Sequence, residues 1–153
     1  MSSPEGSTVT FRRVPPDLRR ESIEGFARKL QIQVAGNRPF DCLVAGDGEL
    51  RRLNREFRGQ DRATDVLSFP SGAGRSGRST PLGDLAISFQ RARAQAVDFG
   101  HTIEQEIHIL MLHGLLHLLG MDHETDGGRM ARAEKRWRTL LGLPNGLIER
   151  VRA

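Results

Sequence analysis

Between Ile103 and Leu119 the chain reads IEQEIHILMLHGLLHLL, and after Ile107 it is apolar almost all the way round. A helix without a polar face has no side to offer water, so it belongs at the buried centre of a fold. Its start is marked by Thr102 and Gln105, which have the spacing of a capping box. Its end is marked by Gly120, placed where a helix closes with a left-handed residue that glycine adopts at low cost. Any fold for this chain has to wrap its other elements around this helix, roughly 103–119.

Three histidines, His108, His113 and His117, interrupt the apolar run. His113 and His117 are four residues apart, on one face and one turn above the other, so their rings can meet at a common atom. His123 lies beyond the Gly120 turn and can come round as a third leg. Three imidazoles with an open fourth position are the geometry of a catalytic zinc site, whereas structural zinc is closed by four ligands, mostly cysteine. Cys42 is the only cysteine, which argues against the closed kind. Imidazoles also suit copper, nickel and iron. The spacing H-x3-H-x2-G-x2-H matches that of metzincin metallopeptidases, which place a glutamate base directly after the first histidine. Here that position is Gly114, so the scaffold points to a different hydrolysis. His108 is rotated away from the ligand face and reads as a surface or packing residue. His101 reads as an exposed loop residue, and Glu106 stands too far along the axis to share the ion; neither is assigned a role.

A length of 153 residues fits one domain with a single core, expected over 8–153 after a disordered Ser/Gly/Pro-rich stretch, 1–7. No run approaches the ~18 apolar residues that span a bilayer, and the N-terminus has no charged start and apolar stretch of a secretory signal. One cysteine makes no intramolecular disulfide, and Cys42 reads as a small buried hydrophobe. The expectation is a cytoplasmic protein with no membrane partner. A net charge of +4 and a pI near 10.4 favour polyanionic partners, of which nucleic acid is the commonest. Apart from Lys29 and Lys135 every basic residue is arginine, a skew that genomic base composition also produces, but arginine binds phosphate bidentately whatever its origin. With no tyrosine and one tryptophan, an aromatic platform for stacking bases is not evident.

The other elements follow from periodicity. Val9 and Phe11 alternate against Thr8, Thr10 and Arg12 as a strand. Pro15, Pro16 and Asp17 open a helix with Ile23, Phe26, Ala27 and Leu30 inward, and FDCLVAG is a second strand. Asp47 caps a helix whose stripe is Leu50, Leu53 and Phe57, with Arg51, Arg52 and Arg55 on a solvated face. TDVLSFP and LGDLAIS are neighbouring strands; SGAGRSGRST between them is a mobile flap or a plain connection. Ser88 caps a helix bearing Phe89, Ala92, Ala96 and Phe99. A last helix, about 127–141, turns Met130, Ala133, Trp137, Leu140 and Leu141 inward and ends in a short tail. Together these predict an α+β single domain: one four-stranded mixed sheet with about five helices around it, the metal helix central. Asp65, Asp84 and Asp122 each stand either to orient a ligand histidine through its second nitrogen or to hold a turn.

Three blocks, NREFRGQDRATDVLSFP from Asn54, LGDLAIS from Leu82 and HGLLHLLGMDH from His113, together resemble the YbeY family of metal-dependent endoribonucleases that mature bacterial rRNA. The resemblance covers roughly 40–141. It implies that His113, His117 and His123 bind one Zn2+ ion and that Arg58 serves activity. It also implies single-stranded RNA, rRNA in particular, as substrate, with the small ribosomal subunit or assembly factors as partners. Met121, where an aromatic is common, and Gln60 and Arg62 depart from the family pattern. The expected function is single-strand-specific cleavage in rRNA maturation, including 16S rRNA 3′-end processing, and ribosome quality control. A non-catalytic assembly factor with a structural metal and another zinc hydrolase are the alternatives.

Overall fold

The computed structural model describes residues 6–71, 81–144 and 148. In chain order it contains β1 (Thr8–Phe11), α1 (Arg20–Gln33), β2 (Asp41–Ala45), α2 (Asp47–Arg58), β3 (Val66–Pro70), β4 (Gly83–Ser88), α3 (Phe89–Phe99), α4 (Ile103–Leu118) and α5 (Arg129–Leu140). The strands form one sheet in the order β1-β2-β4-β3, with β1–β2 and β2–β4 parallel and β3–β4 antiparallel. The expected α+β architecture, one four-stranded mixed sheet and five helices, is the one observed.

Register decides which residues meet α4. Val9, Cys42, Leu85 and Ser68 are successive partners across the sheet and share a face with Phe11, Val44, Ile87 and Val66. The apolar members of this face join the main core, completed by α1, α3, α4 and α5. The opposite face carries Leu43, Ala45, Leu67 and Ala86, and there α2 adds Leu50 to a smaller cluster. From Glu106 to Leu118 only His108 and His117 are not fully buried, so α4 is the centre of the fold. Its capping box is closed on both sides: Gln105 N–H donates to Thr102 Oγ1 at 3.1 Å, and Thr102 N–H donates to Gln105 Oε1 at 3.0 Å. Ser88 caps α3 by accepting from Arg91 N–H at 3.2 Å. Burial, and then neighbouring Asp41, push the Cys42 thiol up to about 12, so it stays protonated and packs as a hydrophobe.

Several local expectations are corrected. α1 starts at Arg20, because the prolines set a turn closed by Leu18 N–H on the Pro15 carbonyl. Gly46, not Asp47, is the N-cap of α2; the Asp47 carboxylate accepts instead from Ser88 Oγ at 2.6 Å and ties the helix start to the end of β4. Phe57 is 65% exposed, because the last turn of α2 overhangs a groove of about 420 Å3 whose walls include Leu53, Phe69, Asp41 and Asp84. Leu140 is exposed, and beside the expected Met130 the buried residue of α5 is Glu134. Beyond α5, Leu143 and Ile148 are buried in the main core where a tail was expected. Ser7 is buried too: its Oγ donates to Gln31 Oε1 at 2.7 Å and accepts from Phe40 N–H at 3.0 Å. The rest of the expectations for 1–7 and for the 71–80 loop fall on 1–5 and 72–80, outside the described residues.

Candidate metal centre and active site

The helical spacing brings the first two histidines together and the Gly120 turn brings the third. α4 ends with Gly120 at φ +91°, and its N–H donates to the His117 carbonyl at 2.9 Å. Asp122 then shapes the return: its Oδ1 accepts from Glu124 N–H at 3.1 Å, and its carbonyl accepts from Thr125 and Asp126 N–H. The Glu124 N–H holds the Asp122 carboxyl below the usual carboxylate range. One ligand atom from each of His113, His117 and His123 lies within 4.8 Å of the other two, with no fourth protein ligand among the described residues.

The nitrogens behind the tripod fix its chemistry. His113 Nδ1 donates to Glu134 Oε2 at 2.7 Å, and His117 Nδ1 donates to the Met121 carbonyl at 3.0 Å. Both partners are acceptors, so each Nδ1 carries the proton and each Nε2 is left with a free lone pair, the form that binds a metal. Burial, then the neighbouring His113, push His117 below the ordinary imidazole value and keep it neutral. His123 Nδ1 is buried without a hydrogen-bond partner among the described residues. An open three-imidazole set with one such nitrogen fits a divalent transition metal, zinc among them.

Gly114 takes its residue type from the sheet. A Cβ there would stand 2.8 Å from Leu85 Cδ2, 3.2 Å from Val66 Cγ2 and 3.3 Å from Ser68 Oγ, all on the packed face. Ser68 Oγ donates to the Gly114 carbonyl at 3.1 Å, locking β3 to the turn that carries His113. The metzincin glutamate therefore has no room at this position. Gly114→Ala is expected to destabilise the protein: overpacking costs about 1–3 kcal/mol, against about 1 kcal/mol gained in helix propensity. Thermal unfolding checks this, and an unchanged or raised Tm would mean that Leu85 yields freely.

Arg58 is the last residue of α2, before the chain turns at Gly59. Buried Asn54 holds that turn by donating from Nδ2 to the Arg62 carbonyl at 3.0 Å. Of the four arginines on α2, Arg51 pairs with Asp61 at 2.7 Å, Arg52 with Glu49 and Glu56, and Arg55 with Asp61 at 3.7 Å. Arg58 has no hydrogen bond or ion pair among the described residues. It lines a cavity of about 320 Å3 together with Asp65, Val66, Ser68, Pro70, His113 and His117. A free guanidinium and two of the three imidazoles thus face one space.

The three aspartates are distributed differently. Asp65 lines the cavity, but its oxygens accept from Val66 N–H at 2.8 Å and Gln95 Nε2 at 3.2 Å, not from a histidine. Asp84 lies on the opposite sheet face, where desolvation and its register partner Asp41 raise its carboxyl above the usual range. Asp122 holds the turn. The position behind the His113 ring belongs to Glu134, which sequence reasoning missed; its signal was a charge four residues after Met130 and three before Trp137, on the inward stripe of α5. His108 stacks on Phe26 with ring centroids 4.2 Å apart, and burial pushes it down to about 4. His101, expected exposed, is buried against α4, its Nε2 2.6 Å from Glu106 Oε1, because its N–H closes onto the Ala96 carbonyl and folds the chain back.

A mixed sheet backing a buried helix, with three histidines placed to hold a metal ion and an arginine on the cavity that two of them line, defines an α+β protein with a candidate metal centre. The particular family is shown by comparison: the model of the family described as Endoribonuclease YbeY matches residues 16–142, and the chain belongs to that family. It is 70% identical over its full length to the whole of an endoribonuclease YbeY of Solibacter usitatus. It is 49% identical over 131 residues to that of Koribacter versatilis, covering 86% of this chain and 83% of the relative. The solution structure of a Thermotoga maritima protein superposes with a TM-score of 0.59 at 26% identity, covering 86% of this chain and 85% of that one.

Proposed function

We propose that the protein is a zinc-dependent, single-strand-specific endoribonuclease of rRNA maturation, acting in 16S rRNA 3′-end processing and ribosome quality control in the cytoplasm. The observation that carries the reading is Arg58, the one unpaired arginine of α2 among the described residues, on the cavity that His113 and His117 line. The names of the relatives, endoribonucleases over most or all of this chain's length, support the substrate class.

His113, His117 and His123 would hold the zinc, which when bound supplies Lewis acidity toward a phosphoryl oxygen. Arg58 grips the non-bridging oxygens of the scissile phosphate with two parallel N–H donors and meets the negative charge that grows on them as the phosphorus centre crowds. Glu134 and the Met121 carbonyl keep the imidazoles of His113 and His117 in one tautomer. Ser68 and Gly114 keep α4 seated on the sheet, which holds the His113-bearing turn of α4 against β3. The small ribosomal subunit or its assembly factors would present the RNA.

The test is cleavage of single-stranded, duplex and 16S 3′-end RNA fragments by protein of defined zinc content. Cutting confined to unpaired segments is the expected result. No cutting by the zinc-loaded protein would sink the enzymatic reading and favour a scaffold. Affinity for single-stranded RNA is also expected to fall with salt, with a log–log slope of about −0.7 per phosphate neutralised. A flat titration would mean that the basic pI does not reflect phosphate contacts.

A further inference from the structure

Glu134 is fully buried, and both of its oxygens are committed. Oε2 accepts from His113 Nδ1 at 2.7 Å, and Oε1 accepts from the backbone N–H of Ile148 at 2.9 Å. The two donors come from places far apart in the chain: one is a metal-site imidazole on α4, the other lies beyond α5. Ile148 also buries its side chain in the main core. We propose that Glu134 is a positioning residue that couples the seating of Ile148 to orientation of His113 for the metal. This rests on the metal reading of the three histidines.

The argument is one of donors and acceptors. His113 offers Nε2 to a metal only when Nδ1 carries the proton, so the group behind it must accept. The Ile148 N–H is a donor as well. Only a carboxylate accepts on both sides; an amide of the same shape accepts on one and presents N–H to the other, leaving one buried donor facing a donor. With Ile148 docked, the carboxylate plane is fixed and with it the His113 ring. With Ile148 undocked, the carboxylate loses one of its two anchors. Because coupling of two binding events is reciprocal, whatever docking adds to metal affinity the metal adds to docking.

Zinc affinity is measured by chelator competition for the parental protein, Glu134→Gln, Ile148→Pro and Ile148→Ala, with Co2+ absorption spectra and circular dichroism alongside. Glu134→Gln is expected to bind zinc about 10- to 100-fold more weakly and to shift the Co2+ spectrum while keeping its fold. Ile148→Pro, which deletes the N–H, is expected to bind more weakly than Ile148→Ala, which removes only packing. In the parental protein zinc should slow hydrogen exchange of the Ile148 amide beyond any change in the β1–β2 ladder, a readout that stands even where a variant fails to fold. Parental affinity in Glu134→Gln, or an Ile148 amide indifferent to zinc, overturns the coupling. A parental protein that binds no zinc overturns the metal reading itself.

Discussion

His117→Ala is expected to lose stoichiometric zinc, and RNA cleavage with it, while the fold is retained. Zinc held by four ligands in small domains is worth about 10–16 kcal/mol, so one ligand carries about 3 kcal/mol, on the order of 10² in affinity. His117 is the histidine to choose, because it is one of only two α4 residues between Glu106 and Leu118 that are not buried, and its truncation leaves the smallest hole in the core. Its one described side-chain bond, Nδ1 to the Met121 carbonyl, closes the turn locally, and the Gly120 and Met121 backbone bonds to His117 and Leu116 remain. Metal analysis after dialysis, with circular dichroism as the fold control, decides the matter. Full zinc occupancy in His117→Ala would mean that the three imidazoles do not hold the ion together.

What the sequence revealed and what it hid follow from the range of the interactions. The buried helix, its capping box and the i, i+4 histidines are written within a few turns of chain, and periodicity reads them directly. The third leg could be read because one glycine, Gly120, sets the return. Glu134 could not be read in the same way: its two partners are 21 residues before it and 14 after it, and only tertiary packing brings them together. The same holds for Asp84, whose place on the far face is a matter of strand register, where a shift of one residue exchanges the two faces. Phe57 kept the helical period of Leu50 and Leu53, but the small cluster over Leu67 and Ala86 does not extend to it, so periodicity alone placed it inside. Arg58 was legible only through the family resemblance, because periodicity does not separate a helix-terminal arginine from Arg51, Arg52 and Arg55, which the fold pairs with carboxylates.

Arg58→Ala is expected to lose about 10²–10³ in RNA cleavage rate, the usual cost of removing one donor aimed at transition-state charge, while zinc content and stability stay at parental values. The separation is expected because Arg58 is exposed, bonds to none of the described residues and ligates nothing, so its removal leaves no buried group unpaired. Neutral truncation of Arg51, Arg52 or Arg55, each already paired with a carboxylate, should change the rate little by comparison. Arg58→Lys tests the geometry: an ammonium keeps the charge but not the planar fork, so it should recover only part of the rate. If the arginine acted through charge alone, Arg58→Lys would match the parent and the bidentate grip would be wrong. If Arg58→Ala cut at the parental rate, the residue would have no part in catalysis, and a loss confined to the histidine variants would place the chemistry on the metal site by itself.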